Sequence, residues 1–322
     1  MNHKPHCIPC ILRRTLHTAE IATSDEWLHR KLLAEIMRSA ATADAEATPA
    51  EVVHKLFRKT ARTLGMADPY AAEKKRWRDE ILANEAFLRQ KIDAAADPLV
   101  AALKFSVLAN QLDNELRPVL TLKSLIDGME QSRFEPDCLD ALLERVAAAR
   151  SVLFVHDAAG ELFFDRLLIE RLGKPREAVT CVVRKAPVIA DATREDAEAI
   201  GLGAVAAEIV DPGVDCLGLP LGECSDAFRK RFQAADLVLV KGQAGYQTLE
   251  GAAASAPPQP PATAPAPALI VPNSLSGPPG SDGNLGSGGN LGPSIFFLFT
   301  VKCPVMATRL GAKLGDPVIE ED

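Results

Sequence analysis

The chain has 322 residues, 47% of them apolar, and a formal charge of −7; this suffices to bury a sizeable core, while the acidic balance offers no broad basic field to DNA or RNA. The opening Met-Asn-His-Lys-Pro-His-Cys lacks the apolar centre of a secretory signal, no apolar run approaches the roughly 20 residues that span a bilayer, and seven scattered cysteines form no disulfide framework. A globular cytoplasmic protein with reduced thiols is expected, with small-molecule partners and neither nucleic acid nor membrane.

From residue 12 to about 150 the chain is rich in Ala, Leu, Glu, Lys and Arg, with apolar residues three or four apart, and the pattern predicts several helices. Thr48-Pro49-Ala50-Glu51 predicts a capped start with proline in the first turn, and Gly65 an end. Asp68-Pro69 and Asp97-Pro98 each predict a capping aspartate followed by a helix-opening proline. After residue 150 short β-rich runs alternate with helical segments, the signature of βαβ units: strands are predicted at 151–155, 179–183, 234–240 and 295–301, with a helix at 161–172 closed by Gly173. The expected fold class is α/β, with an N-terminal helical domain (1–148) packed on a Rossmann-like, mainly parallel α/β domain (149–322). The Pro/Ala-rich, then Gly/Ser/Asn-rich stretch at 251–293 reads as a disordered insertion or lid, because its composition buries too little apolar surface to offset ordering it.

Ligands of open α/β sheets bind beyond the carboxyl ends of the strands, so the residues after each apolar run are the first candidates. After the first run come Asp157-Ala158-Ala159-Gly160-Glu161: a carboxylate suited to a hard divalent cation, then a glycine turn whose helix N-terminus offers amides to phosphate. A plain helix cap is the alternative for Asp157. Asp191 stands in an apolar context just before Thr193 and Asp196, a capping-box pair; it would supply a second metal-binding oxygen donor beside Asp157, or be a solvated loop aspartate. Lys241 ends a later run and is followed by Gly242 and Gly245, a place for a phosphate-binding cation or a surface lysine. Lys302-Cys303-Pro304 offers a second cation, and Cys303 reads as buried rather than nucleophilic because no base lies beside it in sequence. Cys7 and Cys10, with His3 and His6 nearby, form half of a structural zinc site or a buried helix start. No G-x-G-x-x-G follows the first strand, which argues against a dinucleotide site.

In order, Cys7/Cys10, Thr48-Pro49-Ala50-Glu51, Asp68-Pro69-Tyr70 with Lys74, Asp97-Pro98-Leu99 with Asn110-Gln111-Leu112-Asp113, Asp157 to Glu161, Pro187 to Thr193, Lys241 to Tyr246 and Lys302-Cys303-Pro304 run almost end to end. This succession resembles the damage-control phosphatase family, domain of unknown function 89, in its prokaryotic branch with an N-terminal CxxC. The resemblance implies a helical domain on a Rossmann-like domain and metal-dependent hydrolysis of phosphate monoesters on small metabolites, damaged or surplus sugar phosphates among them. It implies a divalent cation (manganese, nickel, cobalt or magnesium) held by Asp157 and Asp191. Asn110 and Asp113 would face the site from the helical domain, and Lys241 would hold phosphate.

Two departures bear on activity. The family pattern Asp-Asn-x-Gly-Glu here has Ala158 for the asparagine, removing a carboxamide ligand, and Lys-Gly-Gln-x-Asn-Tyr-Glu here has Gly245 and Gln247. The alternative function is therefore a catalytically weakened member that binds a phosphometabolite or partner protein without efficient turnover.

Overall fold

The structure is a computed structural model that describes residues 1–112, 121–134, 137–252 and 292–322. Asp113 lies outside the described residues, as does most of the 251–293 stretch.

Among the described residues eight helices precede the first strand: α1 (Cys7–Ala22), α2 (Glu26–Ala41), α3 (Pro49–Leu64), α4 (Ala71–Ala83), α5 (Glu85–Asp93), α6 (Pro98–Ala109), α7 (Leu122–Gln131) and α8 (Leu139–Ala148). Their starts follow local chemistry. Thr48 and Glu51 form the reciprocal capping box of α3, Pro49 occupies its first turn, and Gly65 closes it at φ +70°. Asp97 accepts from the amides of Leu99 and Val100 and caps α6. Asp68 accepts from the Tyr70 amide, but Pro69 sits in a turn and α4 begins only at Ala71, so that proline precedes the helix rather than opening it.

The remaining chain alternates strand and helix: β1 (Val152–Val155), α9 (Leu162–Arg171), β2 (Val179–Val182), α10 (Arg194–Ala199), β3 (Glu208–Val210), α11 (Asp226–Ala234), β4 (Leu237–Lys241), α12 (Gln243–Leu249), β5 (Ser294–Thr300), α13 (Pro304–Leu310) and β6 (Pro317–Glu321). The strands form one sheet in the order β3-β2-β1-β4-β5-β6, parallel except for β6. The chain leaves β1 toward β2 and β3, then returns to build β4, β5 and β6 on the other side. The crevice between the carboxyl ends of β1 and β4 is therefore the topological switch point.

Successive strand residues point to opposite faces, and the apolar runs are buried on both. Phe154, Leu239, Phe296 and Leu298 join a core with Trp77, Phe105, Leu162 and Phe164 from α4, α6 and α9. Leu153, Val155, Val238, Val240 and Phe297 join the opposite core with Phe228, Tyr246 and Met306. Tyr70 and α3, through Phe57 and Ala61, pack on Val188, Ile189 and Leu217, which fixes the segment leading to Asp191. Among the described residues no helix is long and apolar enough to cross a membrane.

Candidate active site

Asp157 follows β1 and Asp191 follows β2, and an antiparallel bridge between Ala158 and Asp191 sets them side by side. The Asp157 carbonyl accepts from the Ala192 amide at 2.7 Å, and the Ala159 amide donates to Ala190 at 2.8 Å. Just ahead of Asp191, buried Ile189 has φ +49°. A β-branched residue pays for that left-handed conformation in steric strain, which the packing of Tyr70 and Leu217 around it sustains. Both aspartates are only 5% exposed.

Each carboxylate is held from a different side. Asn110, the residue that caps the C-terminus of α6, donates from Nδ2 to Asp157 Oδ2 at 3.0 Å and to Glu161 Oε1 at 2.6 Å, while its Oδ1 accepts from the Thr300 amide at 3.2 Å. Arg184, just beyond β2, donates from Nε to Asp191 Oδ2 at 2.6 Å and from Nη1 to the Gly218 carbonyl at 2.5 Å; its Nη2 stands 3.8 Å from Asp157 Oδ1. Burial opposes the charged guanidinium, but Asp191 and Asp157 outweigh it and hold Arg184 above its ordinary pKa. Arg184 is thus the cation that faces the aspartate pair, and it carried no assigned role in the sequence. The signal was present: a basic residue directly after a buried strand, seven positions before Asp191.

Lys241 is placed differently from the sequence expectation. It is wholly buried, and its ammonium donates to the Ser106 carbonyl at 2.9 Å, to Asp165 Oδ1 at 2.8 Å and to Glu161 Oε2. Those three acceptors use its three protons, so no N–H remains for phosphate in this arrangement. Burial opposes the ammonium, yet Asp165 and Glu161 raise it above its ordinary pKa. Ser106 Oγ and His156 Nδ1 complete the shell of Asp165, at 2.6 and 2.8 Å. Lys241 is thus linked to Asp157 through Glu161 and Asn110.

The other phosphate-binding expectations meet similar geometry. Glu161 is fully buried on Lys241 and Asn110, where its charge serves a cation and an amide rather than an anion. The Ala159 and Glu161 amides bond to the carbonyls of Ala190 and Ala158, and Gly160 packs against Trp77 and Leu112. The Gly242 amide donates to Leu298, and the absence of a Gly242 side chain makes room for the Asp157 carboxylate. Lys302 is half-buried beyond β5, with its amide on Gln243 Oε1 at 3.2 Å. Cys7 and Cys10 lie in the first turn of α1, half-buried, and burial raises the Cys7 thiol. Among the described residues no group of three or more His, Cys, Asp or Glu side chains is placed to hold a metal, so the cysteine pair gains no further ligands from that set.

The donor chemistry at the crevice nevertheless fits a hard divalent cation. Asp157 and Asp191 supply oxygen donors. Among the described residues, the buried carboxylates of Asp157, Glu161, Asp165 and Asp191 meet the buried cations Arg184 and Lys241, and the His156 imidazole bonds Asp165. Carboxylates outnumber the Arg and Lys cations of this cluster, and a divalent ion on the aspartate pair would offset negative charge in a low-dielectric setting.

The matching family model, the damage-control phosphatase ARMT1-like domain, spans residues 3–318. A damage-control phosphatase of Archaeoglobus fulgidus is 27% identical over 321 residues, 99% of this chain and 98% of its own length. One from Pyrococcus horikoshii is 27% identical over 252 residues, 76% of this chain and 84% of its own. A crystal structure of a DUF89 family protein from Pyrococcus horikoshii superposes with a TM-score of 0.74 at 22% identity, covering 100% of this chain and 99% of the other, and shows the same fold. With a family model that runs almost from end to end, the chain belongs to the damage-control phosphatase family with an ARMT1-like domain.

Proposed function

We propose that this protein is a metal-dependent phosphatase acting on phosphate monoesters of small metabolites, damaged or surplus sugar phosphates among them. The observation that carries the reading is the aspartate pair at the switch-point crevice, set within a buried cluster in which carboxylates outnumber the Arg and Lys cations. The phosphatase names of two relatives support it. A divalent cation held by Asp157 and Asp191 would supply Lewis-acid polarisation of the phosphoryl oxygens. The chain's own residues orient the donors: Asn110 fixes one oxygen of Asp157, Arg184 one oxygen of Asp191, and Lys241 braces Glu161 against Asn110. In this reading residues 1–148 form the helical domain that contributes Asn110, and residues 149–322 form the metal- and phosphate-binding domain.

Ala158 favours a second reading, a family member that binds a phosphometabolite with little turnover. It is 1% exposed, beside both aspartates, and has no oxygen to give where the family pattern carries a carboxamide. One experiment separates the two: phosphate release from an aryl phosphate and a sugar-phosphate panel, with magnesium, manganese, cobalt or nickel, in wild type, Asp157→Ala and Ala158→Asn. Metal-dependent release that Asp157→Ala abolishes supports the phosphatase. Release that is indifferent to metal and to Asp157→Ala removes it. Activity that appears only in Ala158→Asn selects the second reading.

A further inference from the structure

The Arg184 guanidinium has an unfinished side. Nε and Nη1 are bonded to Asp191 and to the Gly218 carbonyl, but Nη2 has no hydrogen-bond partner among the described residues, although the residue is only 2% exposed. Native proteins seldom leave a buried charged donor without an acceptor, and such an atom calls for an explanation. It lies where an explanation is available, 3.8 Å from Asp157 Oδ1 and on the same guanidinium that holds Asp191. The side chains of Asp157 and Asp191 keep 7% and 6% exposure, against 1% for Arg184.

We infer that Arg184 is the phosphate anchor of this site, its Nη2 being the donor for a phosphoryl oxygen of a phosphate monoester. The inference rests on the phosphatase reading and deepens it. A planar guanidinium held on two sides is pre-organised for a tetrahedral anion on the third. The charge balance sets the order of events. Asp157, Asp191 and Arg184 together carry −1, which repels phosphate; with a divalent cation on the aspartates the sum becomes +1, which attracts it. The same arrangement sets guanidinium and metal in competition for the two carboxylates. Removing the Arg184 charge must therefore tighten metal binding and weaken phosphate binding, whereas a merely structural arginine would move both the same way.

The test uses the full chain and its Arg184→Gln and Arg184→Lys variants. Manganese is titrated onto each by calorimetry, then inorganic phosphate onto each manganese-loaded protein, with kcat and KM measured on the best ester. For Arg184→Gln the expected result is manganese affinity raised about tenfold, phosphate affinity lowered about 10- to 100-fold, and a raised KM. Arg184→Lys keeps the charge and loses the fork, so its manganese affinity stays near wild type while phosphate weakens to an intermediate degree. Wild-type phosphate affinity in either variant overturns the anchor, and so does a parallel fall of both affinities in a folded Arg184→Gln protein. Should that variant fail to fold, the phosphate affinity of Arg184→Lys decides. Hydrolysis with an unchanged KM in Arg184→Gln removes the anchor and leaves the phosphatase standing; the opposed affinity shifts without hydrolysis of any ester by wild type leave the anchor and remove the phosphatase.

Discussion

A Cβ atom on Gly242 would stand 2.0 Å from Cγ of Asp157. The backbone there, at φ +82° and ψ 154°, also lies in a region reserved almost wholly for glycine. Two independent constraints thus require glycine after β4, and both act on the carboxylate proposed to hold the metal. Gly242→Ala is expected to destabilise the fold by about 1–3 kcal/mol through backbone strain. It should also lower phosphate release about 100-fold or more by displacing Asp157. Thermal unfolding and steady-state phosphate release measure the two effects; a variant with wild-type activity would show that Asp157 does not need its present position.

Gly245 is a departure from the family pattern with a packing partner. A Cβ added there meets Val240 Cγ1 at 2.4 Å, so the asparagine of the family pattern does not fit beside this valine. Gly245→Asn alone is expected to destabilise by about 1–3 kcal/mol through overpacking. Val240→Ala opens the space, and the double variant should be more stable than Gly245→Asn by itself, a coupling that chemical denaturation of the full mutant cycle reads directly. Strictly additive effects would show that the two positions do not constrain each other.

The parallel core of the sheet was legible because its strands are buried on both faces and read as continuous apolar runs. β3 and β6 were not anticipated: β3 is three residues long and partly exposed, and β6, Pro-Val-Ile-Glu-Glu, opens on proline and ends on two acids. Asp191, which the bridge to Ala158 sets beside Asp157, stood out by its apolar context ahead of the Thr193 cap, and Asp157 by its place just after a buried run. Lys241 follows one too, but position alone does not say which way a side chain points. Strand parity does: Leu237, Leu239 and Lys241 share a face, and Leu237 and Leu239 belong to the core under α6 and α9. The ammonium is therefore carried away from the crevice toward Ser106 and Asp165. For Arg184 the local signal, a basic residue directly after a buried strand, says nothing of how its guanidinium is aimed, because the Gly218 carbonyl that helps fix it is 34 residues away in sequence.

Lys241 is consequently expected to matter for folding before it matters for phosphate. Lys241→Met leaves Glu161 and Asp165 buried without their shared cation, a change expected to cost about 3–5 kcal/mol. Adding Asp165→Asn removes one stranded charge and should recover part of that loss. Urea denaturation tests both steps; a Lys241→Met protein of wild-type stability and raised KM would instead return this lysine to the phosphate.

The same cluster sets the response to acid. Burial alone would raise the Asp165 carboxyl, but Lys241 and His156 outweigh it and hold its pKa below the ordinary carboxylate value. A carboxyl depressed in the folded state binds its proton more readily once the chain unfolds, so its contribution is complete above the unfolded value, near about pH 4, and is lost as the pH falls through the folded value. Wild-type stability should therefore decline as the pH drops below about 4. Asp165→Asn removes that proton uptake: the variant is less stable at neutral pH because Lys241 and His156 lose a partner, and its stability falls less steeply in acid. Denaturation midpoints from pH 7 to 3 would show the two curves converging toward the acid end, and parallel curves would mean that Asp165 is not held ionised by its neighbours.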